Sequence, residues 1–162
     1  LLTMAGVNGG HVRRAPSDVD LHDAVETAIV SLHTTGRTLV SDVVEGQVVH
    51  VDPDQLEQVL VNLLSNAVKY APTGTIRVTA QSVDDEVHLR VLDRGPGIDE
   101  AFRDHLYEPF RQLDTGDRRT ARGTGLGLAV VRALAEANGG RAWHEPRTGG
   151  GSAFCVALPA AR

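Results

Sequence analysis

Three residues between positions 62 and 69 have the types and spacing to hold an ion and an anion. Read as a helix, Asn62-Leu63-Leu64-Ser65-Asn66-Ala67-Val68-Lys69-Tyr70 puts Asn62, Asn66 and Lys69 on one narrow stripe, because each residue advances about 100° around the axis. Leu56, Val59, Leu60, Leu63, Leu64 and Ala67 fall on the other side. Asn is a poor helix former, since its amide competes for nearby backbone groups, so two of them in mid-helix ask for a reason. Their amide oxygens suit a hard metal ion, and the Lys69 ammonium suits a phosphate. Taken alone, the stripe reads equally well as a solvated polar face.

Asp93-Arg94-Gly95-Pro96-Gly97-Ile98 follows directly on a β-rich run. Gly95 and Gly97 let backbone approach a ligand closely, and the Asp93 carboxylate stands at the strand's end. A carboxylate only accepts hydrogen bonds, so it can pair with the exocyclic amino group of adenine, whereas the carbonyl at that place in guanine would repel it. An unpaired buried acceptor costs ~1–3 kcal/mol, enough to prefer adenine by one or two decades. An ordinary turn after a strand would use the same residues. Gly123-Thr124-Gly125-Leu126-Gly127-Leu128 opens a helix expected over residues 126–138. Free N–H groups and a partial positive charge at such a terminus suit phosphate. The spacing matches neither the dinucleotide fingerprint nor a P-loop, and a plain loop-to-helix junction explains this segment as well.

The elements that must carry these groups can be read from the pattern. A chain of 162 residues suits one domain with a real core. Its net charge of -5 argues against general nucleic-acid binding. No apolar run approaches the ~20 residues of a membrane span and no signal peptide is visible, so no membrane contact is expected of these residues and a cytoplasmic location fits. Cys155, the single cysteine, lies in an apolar run and reads as a buried inert thiol. Leu1 to about Val7 read as the tail of a helix, and residues 11–19 as a linker. Asp20 is the expected N-cap of a helix from Leu21 that ends by Gly36. Leu39–Val44 and Gln47–Val51 are β-rich on either side of Glu45-Gly46. Asp52-Pro53 opens the long Asn-bearing helix. Strands from Thr75 to Ser82 and around Val87–Val91 form a hairpin. A short helix follows from Asp99 to about Leu106, and residues 111–124, with little to bury, are expected to be mobile. Asn138-Gly139-Gly140 stops the last helix, and strands near 141–144 and 152–158 close the chain. The histidines at 22, 33, 50, 88, 105 and 144 read as surface or edge residues. The architecture expected is α+β, a two-layer α/β sandwich with helices on one face of a mixed, mostly antiparallel sheet.

Taken in order, these motifs resemble those of the catalytic ATP-binding domain of bacterial sensor histidine kinases, within the superfamily that includes DNA gyrases, mismatch-repair ATPases and heat-shock chaperones, with a Bergerat-type fold. Asn62 to Tyr70 resembles the N box and Asp93 to Gly97 the first glycine box. Tyr107-Glu108-Pro109-Phe110 resembles the F box, with Tyr where Phe is commoner, and Gly123 to Gly127 the second glycine box. The resemblance runs from about Asp20 to Pro159. It implies ATP and Mg²⁺ as cofactors, with Asn66 holding Mg²⁺ and Asn62 nearby, Lys69 reaching the phosphates and Tyr70 flanking the nucleotide. It further implies that Asp93 reads adenine beside Gly95 and Gly97, and that Gly123, Thr124, Gly125, Leu126 and Gly127 offer backbone to the phosphates. Arg111 is a candidate for the γ-phosphate, and residues 107–124 for a lid over ATP.

The superfamily's hydrolases carry a Glu one turn before the metal-binding Asn. Here that position is Asn62, which cannot act as a base, so phosphoryl transfer is favoured over hydrolysis. The acceptor would be a His on a separate dimerisation hairpin of the same protein, and the next partner a response regulator receiver domain. His11-Val12-Arg13-Arg14-Ala15-Pro16 echoes the acceptor pattern H-x-x-R-x-P, but Gly9-Gly10 precedes it and no acidic residue follows His11, so the match reads as coincidental. Residues 1–19 therefore read as the tail of the hairpin plus linker, residues 20–162 as the kinase domain, and the acceptor His as lying upstream of residue 1. This piece alone is expected to be monomeric; many relatives in the resembled family are membrane-anchored, and the sequence leaves that open for its own full-length protein. Two other readings stand beside it: an anti-sigma-factor-type serine/threonine kinase, and a nucleotide-binding module without catalysis.

Overall fold

The computed structural model describes residues 15–32, 36–98, 101, 106–108, 127–147 and 149–162. Arg111, Gly123, Thr124, Gly125, Leu126, His11, most of the short helix expected near residue 99, the expected mobile stretch and nearly all of the expected lid lie outside these residues. The elements are β1 (Ser17–Asp20), α1 (Leu21–Ser31), β2 (Leu39–Ser41), β3 (Val48–Val51), α2 (Pro53–Tyr70), β4 (Ile76–Val83), β5 (Glu86–Leu92), α3 (Gly127–Ala137), β6 (Arg141–Pro146) and β7 (Ser152–Pro159). Among them no helix is long and apolar enough to cross a membrane.

Five strands form one mixed sheet in the order β2-β4-β5-β7-β6, with β2 parallel to β4 and every other pair antiparallel. Alternation sorts its two faces. The register aligns Val78 with Val91 and Phe154, and Ala80 with Leu89 and Val156. These residues share one core with Leu56, Leu60, Leu63 and Leu64 of α2 and Val131 and Leu134 of α3, so the helices cover that face. On the opposite face, side chains of β6 pair with one another and, across β7, with β5. Arg141 bonds Glu86 at 2.7 Å and stacks over Trp143, and Trp143 donates to Glu145 at 3.0 Å. Cys155 lies in register between Arg90 and Trp143; burial raises its pKa to about 12, so the thiol is inert as expected. His88 departs from the surface reading. It is 9% exposed, because the Trp143 ring packs edge-on against it and Glu86 bonds its Nε2.

Two other expectations change. Residues 17–19, read as linker, form with Asp20 a strand antiparallel to β3, with Asp18 paired to His50 at 2.8 Å. The two β-rich runs beside Glu45-Gly46 part company, β2 joining the large sheet and β3 this separate pair. Asp20 caps α1 as expected, accepting from the Asp23 N–H.

Helix α2 begins at Asp52, whose Oδ1 accepts from the Asp54 and Gln55 N–H groups, with Pro53 at the first helical turn. Asp52 Oδ2 accepts from the Ala15 N–H at 2.7 Å. A buried amide ties this start to the end of α3. Asn138 accepts from the Asp52 N–H at 3.0 Å and donates to Gln55 Oε1 at 2.7 Å and Leu134 O at 2.8 Å. Asn138→Ala is expected to leave the buried Asp52 N–H without its acceptor and to cost ~2–3 kcal/mol. Urea unfolding should show a lower midpoint at unchanged m value.

Candidate functional site

The C-terminal turn of α2 and the loop after β5 meet in a cleft. Tyr70, Asp93, Pro96, Gly97, Ile98, Ser152 and Phe154 line it. Asp93 continues β5 by one residue, its N–H donating to Ser152 O at 2.9 Å. Asp93 as a whole is 3% exposed. Oδ1 accepts from the Gly95 N–H at 2.9 Å and the Ser152 N–H at 3.2 Å, while Oδ2 accepts from no described residue. Burial lifts the Asp93 pKa above the usual carboxylate range. The two N–H donors and the charges of Arg147 and Arg37 oppose that rise without cancelling it. Tyr70 on the facing wall is a neutral phenol whose pKa burial raises further.

Glycine is required where the loop presses on the helix. A Cβ on Gly95 would stand 3.0 Å from Ala71 Cβ and 3.1 Å from Tyr70 O. Gly97 takes a φ of +78°, which a side chain rarely adopts.

One turn before Tyr70, Asn66 is 9% exposed and its Nδ2 is buried without a hydrogen-bond partner. A solvated polar face would not bury it. Its neighbour is Gly127, the first residue of α3, where a Cβ would lie 3.7 Å from both amide atoms. The amide therefore faces a helix N-terminus across a gap that a larger residue would narrow. Asn62 is half-buried and Lys69 exposed.

Tyr70, Asp93 and Gly97 thus share one cleft, Gly95 holds it against α2, and Asn66 meets Gly127 a turn away. Ser152, Phe154 and Gly151 were not anticipated as part of the site. The Gly149-Gly150-Gly151 run before the last strand was their only signal in the sequence. This fold and cleft define an ATP-binding domain of the Bergerat type.

A profile of the Histidine kinase-, DNA gyrase B-, and HSP90-like ATPase family matches residues 51–162. The chain is 39% identical over 159 residues to the sensor protein KdpD of Rathayibacter rathayi, covering 97% of this chain and 18% of that protein. It is 35% identical over 164 residues to the sensor protein CutS of Streptomyces coelicolor, covering 98% and 39%. Among solved structures it is similar to full-length ShkA in complex with AMPPNP, with a TM-score of 0.83 at 28% identity over 97% of this chain and 34% of that one. It is also similar to the mycobacterial sensor histidine kinase MprB, with a TM-score of 0.77 at 25% identity over 90% and 98%. The chain belongs to the histidine kinase-, DNA gyrase B- and HSP90-like ATPase family, and the domain is the catalytic ATPase domain of the histidine kinase kind. It spans 18% of the length of KdpD and 39% of that of CutS.

Asp93→Asn keeps an oxygen for the Gly95 and Ser152 N–H groups but puts an amide NH₂ in place of Oδ2. Were Oδ2 the acceptor for an adenine amino group, as expected from the sequence, two donors would then face each other, and ATP affinity should fall about 10- to 100-fold in calorimetric titration. Stability should move the other way. Asp93 titrates in its ordinary range when unfolded and above it when folded, so at neutral pH the fold carries the cost of the buried charge. As pH falls through the raised value the fold takes up a proton and that cost disappears. The thermal stability advantage of Asp93→Asn over wild type should therefore be largest at neutral pH and shrink on acidification.

Proposed function

We propose that this domain binds Mg-ATP and donates its γ-phosphoryl group to a His on a separate helical hairpin of its full-length protein. The attacking imidazole nitrogen forms the new bond to phosphorus, and the bridging oxygen leaves with its electron pair as ADP. A response regulator receiver domain then takes the phosphoryl group. Residues preceding β1 are read as the tail of that hairpin and its linker. The observation that carries this reading is the convergence of three separate segments, with Asp93 and Gly97 meeting Tyr70 in one cleft and Asn66 meeting Gly127 beside it. The AMPPNP bound in ShkA supports an adenine nucleotide as ligand.

Each residue has a task in this scheme. Asp93 accepts from the adenine amino group, and Tyr70 and Gly97 wall the base. Lys69 and the segment from Gly123 to Gly127 reach the phosphates, with Arg111 at the γ-phosphate. No group of three or more His, Cys, Asp or Glu among the described residues could hold a metal by itself. Mg²⁺ suits such a place, since it keeps waters and substrate phosphates as most of its ligands. The buried, unpartnered amide of Asn66 fits the role of its protein ligand, because which amide atom is oxygen follows from the hydrogen bonds available. Bound Mg²⁺ would neutralise phosphate charge. Asn62 offers no base to activate water, which favours transfer over hydrolysis.

Titration with ATP, ADP and GTP, with and without Mg²⁺, tests the reading; equal affinity for ATP and GTP would overturn it. Asn66→Ala is expected to lose the Mg²⁺-dependent part of ATP affinity, about tenfold or more, while Mg²⁺-free binding persists. In the full-length protein the phosphate should be acid-labile, as on His; an acid-stable label would mark a hydroxyl acceptor.

A further inference from the structure

The turn joining β6 to β7 grips Asp93 by its main chain. Arg147 Nη1 donates to the Asp93 carbonyl oxygen at 3.0 Å. The arginine is itself fixed by the turn, its N–H donating to Gly151 O at 3.2 Å and its carbonyl accepting from the Gly150 N–H at 3.1 Å. Gly151 has a φ of +99°, and a Cβ there would strike the Asp93 carbonyl oxygen, so this turn can lie against Asp93 only with glycine at its end. From the other side the Ser152 N–H reaches back to Asp93 Oδ1. Both the peptide group and the carboxylate of Asp93 are thus held by Arg147 and Ser152, with Gly151 packed against its carbonyl oxygen.

The acceptor of Arg147 is a neutral carbonyl. Its positive charge therefore remains to act on what lies beside it, and Asp93 is the acid beside it. The other charged and titratable groups around Asp93 among the described residues are Arg37 ahead of β2, Arg94 next in the chain, and Tyr70 on α2. Arg37 is spread over two carbonyls, Val68 O and Gly74 O, on the α2 side. Arg147 bonds the Asp93 main chain itself.

We propose that Arg147 is a positioning residue for base recognition, clamping the Asp93 main chain so that the free carboxylate oxygen faces the cleft and keeping that carboxylate ionised, hence purely an acceptor. The inference rests on the reading of Asp93 as the adenine acceptor. Arg147 touches the reader rather than the nucleotide, so it is not catalytic. A guanidinium is permanently charged and rigid, which suits a clamp that must also supply a field.

The test compares wild type with Arg147→Met, Arg147→Lys and Asp93→Asn. Binding of ADP is followed by calorimetry as pH is lowered, together with the ATP-to-GTP preference and the melting temperature. Arg147→Met should weaken ADP binding about tenfold at neutral pH. It should also raise the pH at which acid abolishes binding and narrow the ATP-to-GTP preference. Arg147→Lys should restore the pH midpoint to near wild type, even where affinity stays lower. A merely structural arginine would change the melting temperature and leave the pH midpoint and base preference alone; that result overturns the proposal. Should Arg147→Met fail to fold, Arg147→Gln, which keeps a donor without the charge, carries the same comparison. Unchanged ADP binding in Asp93→Asn would sink the adenine reading itself. Lost binding there, with a wild-type pH midpoint in Arg147→Met, would sink only the role of Arg147.

Discussion

A carboxylate held below the surface without an ion pair to any described side chain constrains this domain more than any other group. Taking a charge out of water is costly unless it is paired or fully hydrogen-bonded. Asp93 has two backbone donors on one oxygen and none from a described residue on the other. Hydrophobic packing gives no reason to keep such a group 3% exposed. Its surroundings are shaped to tolerate it: a loop that crosses the end of α2 only because Gly95 lacks a side chain, and a turn that reaches its carbonyl only because Gly151 does. Glycine-dependent close packing around a buried carboxylate with one oxygen turned away from its backbone donors is how a binding site is shaped.

The same reasoning separates what the sequence disclosed from what it hid. Helix α2 was legible because three signals agreed: Asp52-Pro53 at its start, a leucine stripe along its length, and Asn62, Asn66 and Lys69 off that stripe. The β4–β5 hairpin was legible because alternation on both sides of Asp84-Asp85 specifies one buried face. Strand β1 was not, because Ser17-Asp18-Val19-Asp20 is polar and pairs only with short β3 at the margin of the fold. Its β character comes from the partner, which local propensity cannot report. The burial of His88 likewise depends on Trp143, 55 positions away in sequence and two strands away in the sheet. Of the site, the residues with diagnostic chemistry were readable, while Ser152, Gly151 and Arg147 act through backbone contacts that carry little signature in side-chain type.

The geometry around Asn66 depends on contacts far from it. Gly127 at the start of α3 sits on Asn66 near the end of α2, and Asn138 past the end of α3 bonds Asp52 and Gln55 at the start of α2. The two helices are therefore antiparallel, tied by hydrogen bonds at one end and in close approach at the other. From Asp52 to Asn66 the axis rises about 20 Å. A rigid helix transmits axial position over that span, so the Asn138 amide sets the register in which the N-terminus of α3 meets Asn66. A leucine seam alone would not, since apolar side chains tolerate sliding by part of a turn, whereas a buried amide with three partners has one low-energy arrangement. Asp52 also accepts from the Ala15 N–H, in the segment that leads into β1. One residue thus joins the chain entering the domain, the cap of α2 and the end of α3, the first two through the Asp52 carboxylate and the last through its N–H.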